Sequence, residues 1–334
     1  MRRDGRRVHL PAPRGRITPL GLLVSPARHL FRYPPPMPEN DGMITGCVLD
    51  GAGGGKILGS WDDVRAWRPA DGPVWLHFNR LAEQTGRWME TDPALPMWVT
   101  RDLLSPVTRP HWARHADAIL VVLRGVNFNP GASPDEMIAL RMFLSEHRAI
   151  TVRGRRLVVA KTLKRHLEEG RGPRTIAEVL AFIAGDLCER AGEIILDLEE
   201  EVDRLEARLS DAAQLSSVAA ELADVRREAT GLRRHLAPQR DALSGLAAEQ
   251  VSWMADECRV KLRETADRLV RRIEDLDFVR EQALVTQDEL ATRSSEELNR
   301  RLYVIAILTA VALPLTLITG LFGMEVGGMP GKST

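Results

Sequence analysis

The chain has 334 residues, a length that favours about two domains. Apolar residues make up 44% and charged residues 28%, which is typical of folded protein. Lys and Arg total 46, as do Asp and Glu, so the net charge is zero and nothing in it indicates a nucleic-acid partner. Cys47, Cys188 and Cys258 form no CxxC pair, which argues against a disulfide framework and against a preformed Cys/His zinc site.

Residues 1–42 are rich in Arg and Pro and begin like a signal peptide. Pro19 and Pro26 interrupt their apolar stretch, which is too short for the hydrophobic region of a secretory signal. We therefore interpret residues 1–42 as a disordered extension and assign no fold to it.

Residues 43–185 predict an α/β domain. Strands are predicted for five β-rich runs bounded by Gly, Pro, Asn or Asp: MITGCVLD, PVWLHFN, DAILVVLRGVNF, EMIALRMFLSEH and RAITVRG, with a hairpin around Arg148 and Gly154. Helical spacing marks three further stretches, WDDVRAW, PALPMWVTRDLL and AKTLKRHLEEG. The glycine-rich GAGGGK is one residue too short for a phosphate-binding loop and is followed by Ile57, so we expect an ordinary turn after a strand.

Residues 186–301 predict a coiled-coil-like helical stalk, because apolar residues recur at steps of three and four. These positions are Ile194, Leu198, Val202, Leu205 and Leu209, then Leu215, Val218, Leu222, Val225, Ala229, Leu232 and Leu236, then Leu262, Leu269, Ile273, Leu276, Ala283, Gln287, Leu290 and Leu298. Pro238 is expected to start a third helix. The lack of Pro and Gly between Gly245 and Pro314 predicts one uninterrupted helix from Gln239 to Phe322, about 120 Å long.

Residues 302–323 predict a transmembrane helix, since Leu302 to Phe322 carry no charge over about 20 residues. Arg300 and Arg301 precede this segment, so the positive-inside rule predicts a cytoplasmic N-terminal part, with residues 324–334 on the outside. One face combines small and polar residues, which either let helices approach closely or line a water-filled path. They are Asn299, Ala306, Thr309, Ala312 or Leu313, Thr316, Gly320 and Gly323.

The overall fold class is therefore α+β: a cytoplasmic α/β sandwich domain, then a long-helix bundle that runs into one transmembrane helix. The 8 histidines form no HExxH motif, and no GxSxG elbow exists. We accordingly predict no catalytic residue, no cofactor and no enzyme activity.

This order of segments and four stretches of sequence resemble the CorA-type divalent-cation transporters, and within them the zinc-transporting ZntB branch. The stretches are LRGVNFNPGASPDEM (123–137), LRRHLAPQRDAL (232–243), DRLVRRIEDLDFVREQALVTQDEL (267–290) and LPLTLITGLFGM (313–324). The resemblance covers residues 43–331. It implies a homopentamer in the lipid bilayer of the inner membrane, with a cytoplasmic funnel and a central pore that carries a zinc-type divalent cation inward, coupled to protons.

Carried over by position, the resemblance implies a set of pore-lining residues and an apolar constriction at Leu313. The set comprises Asn299, Leu302, Thr309, Leu313, Thr316 and Gly320. The family's Gly-Met-Asn signature reads Gly323-Met324-Glu325 here, which marks the selectivity loop. Asn299 and Glu325 are the candidate metal contacts; a ring of five glutamates is strongly anionic, whereas an asparagine ring carries no net charge.

The family's second membrane helix and basic tail have no counterpart before Thr334, so we expect a truncated form of such a transporter. An alternative is a single-span membrane-anchored coiled-coil scaffold or sensor without transport activity. A soluble enzyme with a hydrophobic tail is a further class. The small and polar stripe together with the loop GMEVGGMPG distinguishes the transporter, because a plain anchor needs neither feature.

Overall fold

The structure, a computed structural model, describes residues 42–210 and 215–323. The predicted extension before Gly42 and the predicted loop 324–334 lie outside these residues. In the described part, seven strands form one sheet in the order β2-β1-β3-β7-β6-β5-β4, in which β3 pairs with β7 in parallel and the other neighbours are antiparallel. The strands are β1 Met43–Leu49, β2 Gly55–Leu58, β3 Val74–Asn79, β4 His111–His115, β5 Ala118–Gly125, β6 Ile138–Leu144 and β7 Arg148–Arg153.

Helices cover both faces of the sheet, which gives the predicted sandwich. Because strand side chains alternate between faces, Leu76 belongs to the core under the short helices, while Trp75 faces the long ones. The short helices are α1 Trp61–Ala66, α2 Glu83–Thr91 and α3 Met97–Leu104. The opposite face carries α4 Val158–Glu168, α5 Ile176–Ala207, α6 Leu215–Ala248 and α7 Asp256–Gly323.

All five predicted strands and all three predicted helices of this domain are present, and the β6–β7 hairpin is confirmed. The glycine-rich stretch is the turn between β1 and β2, as expected. Gly53 has a φ of 109°, and a Cβ there would lie 2.9 Å from the carbonyl oxygen of Gly170. The turn is therefore shaped by packing against the end of α4, which leaves no role for a phosphate group in its conformation.

The prediction that Pro238 starts a new helix is wrong, because Pro238 lies inside α6. A proline within a helix costs about 3 kcal/mol, since it lacks the N–H donor and crowds the preceding turn. Buried side chains on both sides offset this cost: Leu236 and Gln239 are fully buried, and Leu243 and Leu246 continue the same contact. Tertiary packing thus carries the helix through the proline.

The predicted uninterrupted helix from Gln239 to Phe322 is also wrong, since residues 249–255 form a turn between α6 and α7. Contacts with the β4–β5 hairpin hold this turn. The indole Nε1 of Trp253 donates to the carbonyl oxygen of Asp117 at 2.5 Å, and the Ser252 hydroxyl donates to the Asp117 carboxylate. Arg114 Nη1 donates to Glu249 Oε1 at 2.6 Å. Because these partners lie far apart along the chain, the sequence near the turn contains no local pattern that predicts it.

The stalk begins earlier than residue 186, because α5 starts at Ile176, where the Thr175 hydroxyl accepts the Glu178 N–H at 3.2 Å. Most of the predicted seam positions in α5, α6 and the first part of α7 are buried. Ile194 is half-buried, with Ile195 taking the core position beside it. Leu298 is 59% exposed, since α7 has left the other helices by that point.

A buried polar cluster joins β3 to β7 on the face of the long helices. The Thr151 hydroxyl donates to the Leu76 carbonyl at 3.0 Å and accepts from Trp75 Nε1 at 3.0 Å. Its proton is thereby used, so His77 Nδ1, 2.8 Å away, is a donor, and His77 Nε2 accepts from Arg153 Nε at 3.1 Å. Burial lowers the pKa of His77 well below its usual range, and the charge of Arg153 lowers it further, so the ring is neutral as this bonding requires.

Thr151→Val should destabilise the domain by about 2–4 kcal/mol, because it leaves the donors of Trp75 and His77 buried without an acceptor. The measurement is the midpoint of thermal unfolding in detergent, followed by tryptophan fluorescence. Thr91→Val is the matched control, since the Thr91 side chain is exposed at the end of α2 and bonds only to carbonyls of its own helix. Equal midpoints for the two variants would contradict the role given to Thr151.

Candidate functional site

The second half of α7 projects away from the folded domain. Its last buried residue is Leu290, and the side chains from Ala291 to Phe322 are exposed, apart from a half-buried Glu297. The helix contains a stretch with a mean hydropathy of 2.3, none of which is buried. A core helix of a soluble protein would be buried, and a signal sequence would lie near the N-terminus. An exposed apolar span of this length at the far end of the chain is typical of a helix that crosses a bilayer.

The two faces of this span differ in chemistry. At about 100° per residue, the predicted pore residues Leu302, Thr309, Leu313, Thr316 and Gly320 fall on one face of the helix, and Asn299 lies at the edge of that face. The opposite face holds only large apolar side chains. These are Val304, Ile307, Val311, Leu315, Ile318 and Phe322.

The threonine hydroxyls on the polar face use their protons within the helix. Thr309 Oγ1 donates to the Ile305 carbonyl at 2.8 Å, and Thr316 Oγ1 donates to the Ala312 carbonyl at 2.7 Å. Each oxygen keeps a lone pair that can accept from water. The face therefore presents acceptors, which suit the water molecules around a hydrated cation because those molecules donate outward.

The two ends of the apolar span differ in the residues that flank them. Gly323 is the last residue of α7, and Met324 and Glu325 lie outside the described residues. At the other end, Arg301 pairs with Glu297 at 2.5 Å across one helical turn, and Arg300 is exposed beside it. Basic side chains thus lie at the end of the apolar span that joins the folded domain.

The part of α7 before Leu290 is held by polar contacts with α5 and α6. Glu206 Oε1 accepts from the Thr286 hydroxyl at 2.7 Å, and Asp203 Oδ1 accepts from Gln282 Nε2 at 3.0 Å. Gln287, a predicted seam residue, accepts from Arg226 at 2.5 Å. These bonds fix the register of α7 against α5 and α6 before the helix leaves them.

No three His, Cys, Asp or Glu side chains within residues 42–210 and 215–323 lie close enough together to hold a metal ion. His111 and His115 have HxxxH spacing, but they lie on β4, where four residues span about 13 Å. Two imidazoles so far apart cannot share one zinc ion. His111 instead contacts Asp102 Oδ2 at 3.0 Å.

An open cavity of about 710 Å³ lies between α6 and α7. Three of its arginines are engaged with neighbouring groups: Arg226 with Gln287, Arg227 with Asp224 and Arg280 with Asp277. Other charged side chains of both signs line it as well, among them Arg234 and Glu281.

Sequence reasoning missed the residues that attach α7 to the sheet. Arg114 and Asp117 of the β4–β5 hairpin contact Glu249, Ser252 and Trp253, which lie about 135 positions away along the chain. Ala116 in the same hairpin has a φ of 51°, a left-handed conformation uncommon for alanine. No periodicity or motif reveals such a pairing, because both partners read as ordinary polar turns.

Comparisons with known proteins agree with this geometry. A family model described as "CorA-like Mg2+ transporter protein" matches residues 70–334. The "Divalent cation transporter CmaX" of Pseudomonas aeruginosa is 36% identical over 294 residues, 88% of this chain and 89% of that protein. The "Zinc transport protein ZntB" of Pectobacterium carotovorum is 35% identical over 298 residues, 88% of each chain.

The structure of the full-length CmaX protein matches with a TM-score of 0.77 at 35% identity, covering 89% of this chain and 91% of that one. The similarity therefore extends over the sheet, the stalk and the exposed apolar helix alike. The chain belongs to the CorA-like family of divalent cation transporters.

Proposed function

We propose that five copies of this chain form a pore that carries a zinc-type divalent cation across the inner membrane. The observation that carries the proposal is the two-faced apolar helix at the end of α7. A helix that met lipid on all sides would have no use for a face of Thr and Gly, since polar groups are costly in hydrocarbon. Copies arranged around an axis would turn the polar face toward a shared path and the apolar face toward lipid.

Self-association is supported by membership of the family and by the packing requirement of this helix. The number five is carried over from the family resemblance. Zinc as the cargo is supported by the name of the ZntB relative, while the name of the CmaX relative is consistent with divalent cations in general. The single-span scaffold is disfavoured, because the similarity to transporters extends through the apolar helix.

The polar face suggests a path for a hydrated cation. Entering from the outer end, the cation would meet Gly320 and Thr316, a ring of Leu313, then Thr309 and Leu302, and last Asn299. Carbonyl, amide and hydroxyl oxygens hold its water shell without replacing it, while the apolar Leu313 ring closes the path by excluding water. Glu325 would lie at the outer mouth. Inward movement coupled to protons belongs to the same proposal.

Thiol accessibility distinguishes the two faces. Thr309→Cys should react with a water-soluble methanethiosulfonate reagent in membranes, whereas Val311→Cys on the opposite face should not. Background reaction is small because Cys47, Cys188 and Cys258 are buried and burial raises the pKa of each, that of Cys47 to about 11. Reaction at Val311→Cys but not at Thr309→Cys would reverse the assignment of the faces.

Leu313→Ser should raise zinc flux into proteoliposomes several-fold, because a hydroxyl ring no longer excludes water from the constriction. The measurement is the fluorescence of a zinc indicator trapped inside the vesicles. Leu315→Ser is the matched control, since Leu315 lies on the lipid-facing side. If neither variant nor the unmodified chain admits zinc while the protein is correctly inserted, zinc transport by this chain is excluded.

Glu325→Asn should raise zinc flux and flatten its dependence on external pH. Five carboxylates around one axis bind a divalent cation or protons tightly, whereas an amide ring carries no charge, and conduction requires binding weak enough for release. Glu297→Gln is the control, as that carboxylate precedes the apolar span and is paired with Arg301. A flux and pH profile unchanged in Glu325→Asn would remove Glu325 from the pore.

A further inference from the structure

The outer side of α7 carries two large apolar side chains within the stalk. Phe278 is 63% exposed and Val285 is 60% exposed, while Leu276 and Val279 beside them are fully buried against the other helices. The two exposed residues lie two helical turns apart and therefore share one face of α7. Such a pair is a candidate surface for contact with a further apolar surface.

This apolar pair and the open cavity between α6 and α7 lie at opposite edges of α7. Gln282 and Thr286 make the bonds of α7 to α5, and at 100° per residue Phe278 and Val285 lie about 70° farther around the helix on that side. The cavity, which we call the α6–α7 groove, has a volume of about 710 Å³ and lies on the α6 side, where Leu284 lines it. One copy of the chain thus offers an apolar pair at one edge and a groove at the other.

We propose that Phe278 and Val285 of one copy insert into the α6–α7 groove of the next copy, an inference that rests on the ring of copies in the proposed function. Both surfaces belong to the same stretch of α7, since the groove is lined there by residues from Asp277 to Leu284. A contact between two different surfaces at equal height closes into a ring, whereas a rise from copy to copy gives an open filament.

The angle between the two surfaces suits a ring of five. At 100° per residue, Phe278 and Val285 lie on average about 110° from Leu284 around α7, which is close to the angle at the corner of a regular pentagon. The sector between the two surfaces holds the exposed carboxylates of Glu274 and Glu281. In such a ring these side chains would face the axis, where a water-filled path for a cation requires polar groups.

The lining of the groove suits an aromatic side chain from the next copy. Leu284 is 44% exposed and provides apolar surface, and Arg227 and Arg280 lie beside it. A guanidinium group stacks on the face of an aromatic ring. Arg227 is paired with Asp224 and Arg280 with Asp277, so that a phenyl ring placed over them covers paired rather than single charges.

Disulfide cross-linking tests the contact in membranes. Phe278→Cys combined with Thr230→Cys, on the α6 side of the groove, should give a ladder of linked chains on a denaturing gel after mild oxidation. Leu196→Cys combined with Thr230→Cys is the matched control and should give none, because Leu196 is similarly exposed, at 51%, but lies on α5. Each single substitution should also give none, since the contact joins two different residues. A ladder from the control pair alone would overturn the proposal.

A second test measures the strength of assembly. Phe278→Ser combined with Val285→Ser should raise the concentration at which the full chain dissociates in detergent by about 10-fold or more, because both side chains lose their burial in every contact. The measurement is light scattering over a dilution series. Leu196→Ser is the control and should leave the dissociation unchanged. Equal dissociation of the double variant and the unmodified chain would contradict the contact.

The outcomes separate this contact from the ring itself. If the unmodified chain forms a multimer but the Phe278→Cys and Thr230→Cys pair does not cross-link, the contact is wrong and the ring stands. If the unmodified chain is a monomer in membranes and in detergent, the ring is excluded and the proposed function with it.

Discussion

The continuity of α7 is the constraint on which the rest of the structure depends. One helix of 68 residues is buried in the stalk at its beginning and exposed along its apolar end. At 1.5 Å per residue it is about 100 Å long, far longer than the sheet domain that carries it. Any tilt or rotation imposed at its base therefore reaches the apolar span. The contacts of Asp117 and Arg114 with the preceding turn matter for this reason, although they lie far from the membrane segment.

Most of the architecture could be predicted because it rests on local pattern. Alternating β-branched runs gave five strands, and steps of three and four gave the stalk. The missed elements lack such signals: β2 has four residues after a glycine turn, β4 reads HWARH, and α2 mixes polar residues with a glycine. Pro238 predicted a helix end that is absent, because its buried neighbours continue α6 through the proline. The turn at 249–255 was not predicted, because a contact with the distant β4–β5 hairpin holds it and no proline marks it.

The candidate site and the contacts that hold the turn before α7 differ in the same respect. The polar stripe of α7 lies within one helix, so its spacing was visible in the sequence and the family resemblance could assign it a role. The contacts of Asp117 with Ser252 and Trp253 join a strand hairpin to a turn far away along the chain. They emerge only in the folded chain, because each residue alone reads as a normal surface position.

The orientation of α7 connects the stalk to the membrane span. Counting about 100° per residue, the last buried positions of α7, Val279, Ala283, Thr286 and Leu290, point about 150° away from Leu313 of the polar stripe. The face that leads toward the polar stripe is thus turned away from α5 and α6 of the same chain. In the proposed ring of copies, α5 and α6 would lie outside α7, and the polar stripe would face the axis. A one-residue insertion between Leu290 and Leu302 would turn the stripe by about 100° and direct its threonines into lipid. The register of the stalk therefore determines which side chains of the span can line a common path.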